Sequence, residues 1–306
     1  MENNMQKLQE LAAQNGPLCV GLDTDPSYIP PAILKEYGSP AQAVLAYNKE
    51  IISRVQSAKS ACCCKVQIAY YEAMGIEGMH VYAQTLRLVK DAGLICISDI
   101  KRGDIANTAA AYAKAHFSGD FETDIITVNP YMGFDTLRPF TEYCASAGKG
   151  IFVLLRTSNP GMADIERQEL KSGGLVLDRT GAELKRLAAA SAGQDAGLRC
   201  PPVGAVVGCT EESDAQTIRN AYPELFFLIP GYGAQGGAAR IAATLLCKAG
   251  GTVNSSRGIL CAWKKSETCQ QKEQAGTLTM DDLGDAAGAA ALAAKQELCA
   301  AAGACS

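Results

Sequence analysis

Leu94-Ile95-Cys96-Ile97-Ser98-Asp99-Ile100-Lys101 is an apolar run that ends in two opposite charges. The stretch from Leu94 to Ile100 predicts a buried strand, because such runs suit a parallel sheet covered on both faces. Side chains on a strand alternate, so Asp99 and Lys101 are expected on one face, with Ser98 and Ile100 on the other. Seven similar runs predict further strands: Leu18 to Leu22, Cys63 to Ile68, Ile125 to Val128, Ile151 to Leu155, Val203 to Val207, Phe226 to Ile229 and Thr252 to Ser255. Helix-like stretches lie between them, among them Ala41 to Ser57, Gly78 to Asp91, Gly181 to Ser191 and Ala238 to Ala249. Eight strands separated by helices predict an α/β fold, a (β/α)8 TIM barrel rather than a doubly wound sheet. The pattern reads as one domain over 1–306, with an N-terminal helix over 1–14 and an Ala-rich C-terminal helix over about 280–300. Thr157 to Gly174 is the longest irregular stretch and reads as an active-site loop.

The composition, 48% hydrophobic and 20% charged, excludes a disordered chain. Against 28 Lys+Arg stand 32 Asp+Glu, a net charge of −4. That balance points to no nucleic-acid or membrane partner, so any anionic ligand must be held by locally placed groups. The thirteen cysteines include no Cys-x-x-Cys pair, and the two histidines, His80 and His116, lack a ligand-like neighbour. Neither a metal site nor a disulfide framework is expected; the thiols read as small hydrophobes in a reducing compartment. Met1 to Asn4 carries no leader-like pattern and no run approaches the ~18 apolar residues of a membrane helix, so a cytoplasmic location is expected.

Barrels of this kind do their chemistry at the carboxyl ends of the strands. Those ends carry Asp23, Lys65, Asp99, Lys101 and, in the following turn, Asp104, with Thr108 one helical turn further on. An isolated Asp-x-Lys would more often be a solvated strand end. Lys65 on the same rim shifts the balance, because acids and bases alternating in space keep each other ionised without a metal. A second constellation joins the glycines of Pro230 to Gly237, after the seventh strand, to Arg257 after the eighth. Glycines let backbone N–H groups approach an anion and arginine offers a forked donor, which together point to phosphate.

The segment Asp99-Ile100-Lys101-Arg102-Gly103-Asp104-Ile105-Ala106-Asn107-Thr108 resembles the Asp-x-Lys-x-x-Asp-Ile-x-x-Thr signature of orotidine 5'-monophosphate decarboxylases, particularly their longer bacterial subgroup. Pro230-Gly231-Tyr232-Gly233-Ala234-Gln235-Gly236-Gly237 is a second match, and the likeness runs from Val20 to Gly258. The resemblance implies a cofactor-free carboxy-lyase that converts orotidine 5'-monophosphate to uridine 5'-monophosphate and CO2, the last step of de novo pyrimidine biosynthesis. It implies a charge array of Lys65, Asp99, Lys101 and Asp104, with Lys101 protonating pyrimidine C6. It also implies a homodimer in which Asp104 and Thr108 serve the neighbouring site. Asp23, Thr108, Ile105, Ser158, Gln235 and Arg257 would bind substrate, Asp23 at the ribose, Ser158 at the pyrimidine, and Gln235 and Arg257 at the phosphate. Two rival readings are a metal-dependent decarboxylase of the same superfamily acting on a sugar phosphate, and a non-catalytic nucleotide-binding barrel.

Overall fold

In the computed structural model the run after Leu94 is strand β3 (Ile95–Arg102), which continues two residues past Ile100. The structure describes residues 3–194, 200–231 and 236–303. β3 lies among β1 (Leu18–Gly21), β2 (Cys63–Gln67), β4 (Ile125–Val128), β5 (Gly150–Arg156), β6 (Val203–Val207), β7 (Phe227–Ile229) and β8 (Gly251–Ser255). All pair in parallel, in sequence order, and β8 closes on β1 through Leu18 opposite Val253. Every expected strand is present within two residues of its expected ends. The principal helices are α1 (Asn4–Asn15), α2 (Pro40–Ser57), α3 (Gly75–Asp91), α4 (Ala106–Phe117), α5 (Arg138–Ala147), α6 (Val176–Gln194), α7 (Glu212–Ala221), α8 (Gly236–Leu246) and α9 (Met280–Gly303). No helix among the described residues is long and apolar enough to cross a membrane.

The alternation of strand side chains sorts the apolar residues into two cores. Leu18, Val20, Cys64, Val66, Cys96, Ile126, Val153, Val203 and Val253 face outward and pack under the helices. Cys19, Cys63, Ile95, Ile97, Ile125, Phe152, Phe226 and Leu228 fill the barrel, and Met5 and Leu8 of α1 plug its amino end. The next inward position along β2, β3, β4 and β8 is polar: Lys65, Asp99, Thr127 and Asn254. The barrel therefore changes from oily to charged along its axis. The C-terminal helix packs Leu283, Ala287 and Ala291 into the outer core, and Arg54 of α2 holds Asp285 at 3.0 Å.

The described cysteines are all free thiols. Burial pushes Cys96 and Cys144 up to about 12, so they stay protonated and act as small hydrophobes, as expected. Arg219 makes no ion pair within 4.0 Å among the described residues. It is buried, lies 3.6 Å over the Phe227 ring, and donates to the carbonyls of Leu245, Tyr222, Leu225 and Gly250, tying α7 and α8 to β8.

His116, on the inner face of α4, is 3% exposed, and burial, then Arg102, pushes its pKa down to about 4. An unfolded histidine titrates near ~6.5, so from there down to about 4 the unfolded chain binds a proton that the native chain refuses. Stability should fall by about 2 kcal/mol from pH 7 to pH 5. Urea denaturation at both pH values measures this, and His116→Phe should remove that part of the loss. An unchanged pH dependence in the variant would assign it to other groups.

Candidate active site

Asp99 is the centre of the polar end of the barrel and is 5% exposed. Its Oδ2 accepts from Lys65 Nζ at 2.9 Å and Gln67 Nε2 at 3.0 Å; its Oδ1 accepts from Lys101 Nζ at 2.6 Å and Thr127 Oγ1 at 2.8 Å. Burial alone would push this carboxyl up, but the Lys65 and Lys101 ammonium groups outweigh it and hold Asp99 well below the usual carboxylate range. Burial would likewise push Lys65 down, and Asp99 and then Asp23 reverse this and raise it. Lys65 Nζ also reaches Asp23 Oδ1 at 3.1 Å. Asp23 is steadied by Ser256 Oγ at 2.7 Å, which in turn accepts from Asn254 Nδ2 at 3.1 Å. Gly21 makes room for this chain: a Cβ there would sit 2.0 Å from Ser256 Oγ. Two acidic and two basic side chains thus alternate in the order Asp23–Lys65–Asp99–Lys101.

Simple alternation does not place Lys101. The pairing of β3 with β4 slips between Ser98 and Arg102, and Lys101 takes φ +46°, a left-handed backbone that costs energy for a residue with a Cβ. Its N–H is held by Thr127 Oγ1 at 2.9 Å, so one threonine fixes both the Lys101 backbone and the Asp99 carboxylate. The bulge turns the ammonium back onto Asp99 while leaving the Lys101 side chain 45% exposed at the mouth. Lys65 is the third residue of β2, which begins at Cys63 as the sequence predicts.

Asp104 stands apart. It lies in the turn after β3, and α4 starts at Ala106, also left-handed at φ +46°, with Ile105 as its cap residue. Asp104 accepts only its neighbour's N–H, Ile105 N at 2.8 Å, and makes no ion pair among the described residues. Ile105 is 54% exposed and Thr108 is exposed on the first turn of α4. Gly103 packs so closely on the turn after β4 that a Cβ would lie 2.6 Å from the Asn129 carbonyl oxygen.

Ser158 is exposed just after β5, in a loop anchored by Glu166, which accepts from Thr157 N at 3.1 Å and Thr157 Oγ1 at 2.7 Å. The loop carries a short 3-10 turn, Pro160–Asp164, and a bridge between Glu169 and Leu175. Arg156, the other charge at that strand end, is committed to Asp214 at 2.7 Å. Arg257 opens a helical turn, Arg257–Leu260, and its exposed side chain has no hydrogen bond or ion pair among the described residues. Gln235 lies outside the described residues, while α8 begins at Gly236, directly after it. Gln67, Thr127 and Asn254 were given no role from sequence. Gln67 could have been found, since it sits two residues beyond Lys65 on the same strand face.

A closed (β/α)8 barrel with an alternating Asp–Lys array at the carboxyl ends of β1, β2 and β3 is the class of protein that fold and site define. A family model described as orotidine 5'-phosphate decarboxylase / HUMPS matches residues 16–271, and the chain belongs to that family. The chain is similar to orotidine 5'-phosphate decarboxylases of Clostridium novyi (strain NT), 48% identical over 277 residues covering 88% of this chain and 95% of the relative. The Clostridium botulinum (strain Kyoto / Type A2) counterpart is 49% identical over 262 residues, 85% and 90%. Among solved structures, Leishmania donovani OMP decarboxylase matches with a TM-score of 0.69 at 28% identity, covering 96% of this chain and 97% of that one.

Proposed function

We propose that the chain decarboxylates orotidine 5'-monophosphate to uridine 5'-monophosphate and CO2, in pyrimidine biosynthesis, without a cofactor. The observation that carries this reading is a buried Asp99 kept ionised between two ammonium groups, one of which is open to the barrel mouth. Loss of CO2 leaves a carbanion at C6 of the pyrimidine, with no electron sink to spread its charge, so fixed charges must stabilise it. Asp99 beside the substrate carboxylate would disfavour the bound acid, and the repulsion would vanish as neutral CO2 departs. Lys101 would then face the new negative charge and deliver its proton. Lys65 keeps Asp99 anionic throughout and holds Asp23 for the ribose hydroxyls. Ser158 would meet the pyrimidine, with Ile105 beside it. Binding energy from the phosphate, held by Gln235 and Arg257, would offset the unfavourable carboxylate pairing.

Addition of orotidine 5'-monophosphate to chelator-treated protein should produce the absorbance loss of decarboxylation. A protein inert until a divalent cation is restored, and then active on a sugar phosphate, would favour the other activity that the family's name covers. The many free thiols support a cytoplasmic location.

The proposal includes a homodimer with Asp104 and Thr108 given across the interface. Ile76, Ile105, Tyr131, Met132 and Ile165 are 48–79% exposed and lie in the segments after β2, β3, β4 and β5. Exposed apolar side chains after these strands, together with an Asp104 that makes no ion pair among the described residues, fit a site shared between two chains. Lys101→Ala and Asp104→Ala chains, each nearly inactive, should therefore complement when mixed and reassorted. Half the dimers would be mixed and each would carry one intact site, restoring about a quarter of wild-type activity. Mixtures no more active than their parts would place Asp104 within its own protomer's site.

A further inference from the structure

Behind β3, Arg102 Nε and His116 Nδ1 are buried without a hydrogen-bond partner among the described residues, while Tyr82 Oη lies within hydrogen-bonding reach of Ser98 Oγ. Tyr82 comes from α3, Ser98 and Arg102 from β3, and His116 from α4. Phe121 joins them, 5.6 Å from the Tyr82 ring and 6.2 Å from that of His116, while Arg102 lies 5.3 Å over Tyr112 and pairs with Glu72 at 2.7 Å. Tyr82 and Ser98 are fully buried and His116 is 3% exposed. Buried donors and acceptors left unmatched destabilise a fold, and a shared ordered water is the usual remedy.

We propose that Arg102 and His116, backed by the Tyr82–Ser98 pair, form a water-linked positioning array that holds the Asp99–Lys101 bulge in register from behind the sheet. Arg102 follows the left-handed Lys101, and its carbonyl takes the Asn129 N–H at 2.8 Å. A strained backbone persists only where its surroundings over-determine it. With its side chain fixed behind β3, Arg102 leaves Lys101 one direction to point, onto Asp99. None of the array touches the reacting atoms, so its effect reaches chemistry through geometry, where displacements of ~1 Å cost about 100-fold.

The inference rests on the decarboxylase reading, and two measurements separate their failures. His116→Phe keeps the ring beside Phe121 and removes Nδ1; kcat should fall about 10-fold with KM for orotidine 5'-monophosphate within about twofold. His116→Gln, which restores an acceptor, should recover most of kcat. Arg102→Lys should match His116→Phe, and the double variant should lose little more than either. Full kcat in His116→Phe, or strictly multiplicative losses, would overturn the array. A high-resolution crystal structure provides the check that does not depend on activity. Ordered water bridging His116 Nδ1 and Arg102 Nε supports the array, and a dry contact there overturns it even if the wild-type protein proves to have another substrate.

Discussion

Lys101→Ala is expected to lower kcat at least about 10^4-fold while leaving uridine 5'-monophosphate binding measurable. Loss of a general acid alone typically costs about 10²–10⁴. Removing a fixed charge aimed at a developing anion adds a comparable factor. The fold should tolerate the change, because the Lys101 side chain is 45% exposed and Asp99 keeps Lys65, Gln67 and Thr127. Lys65 would be the poorer probe: it is 4% exposed, and its removal strands Asp23 and Asp99 together with their stabilising cation gone. Steady-state rates and nucleotide titration on the same preparation decide the matter. A rate near wild type would end the assignment of Lys101 as proton donor. Intact rate with weakened binding would make it a substrate-holding group.

Arg257→Ala should lower kcat/KM for orotidine 5'-monophosphate by about 10²–10³, since a forked, charge-assisted contact to phosphate is among the stronger single hydrogen-bonding arrangements. The loss should not be a folding defect, because the exposed side chain supports nothing else among the described residues. Orotidine, which lacks the phosphate, is the internal control: its slow turnover should change by no more than about twofold. Phosphate lies remote from the breaking bond, so its contribution reaches kcat only if binding energy is spent at the reacting centre. Equal losses on nucleotide and nucleoside would remove Arg257 from the phosphate site and direct attention to catalysis itself.

The barrel was legible because parallel strands buried on both faces are written as nearly uninterrupted apolar runs, and eight such runs with helices between them leave few topologies. The site was legible where it followed the two-residue period of a strand: Lys65, Asp99 and the inward step from Ile97 could be read directly. Thr127 could not, since a threonine in an apolar run is as good a strand former as a ligand. Neither could the isolation of Asp104, which depends on where α4 starts and on Gly103 packing against Asn129.

By itself, the sequence determined the alternation of β and α elements, the residues on each strand face, and the presence of two acids and two bases at one rim. Only the tertiary structure decided how Lys101 faces Asp99, through a register slip and a left-handed φ that no strand period contains. It also decided that Asp99 is ionised, because a carboxylate's state depends on burial and on charges brought from Lys65, far along the chain. Local pattern reports what each short segment prefers. Strain, desolvation and long-range charge pairing arise only when segments distant in sequence are closed into one barrel.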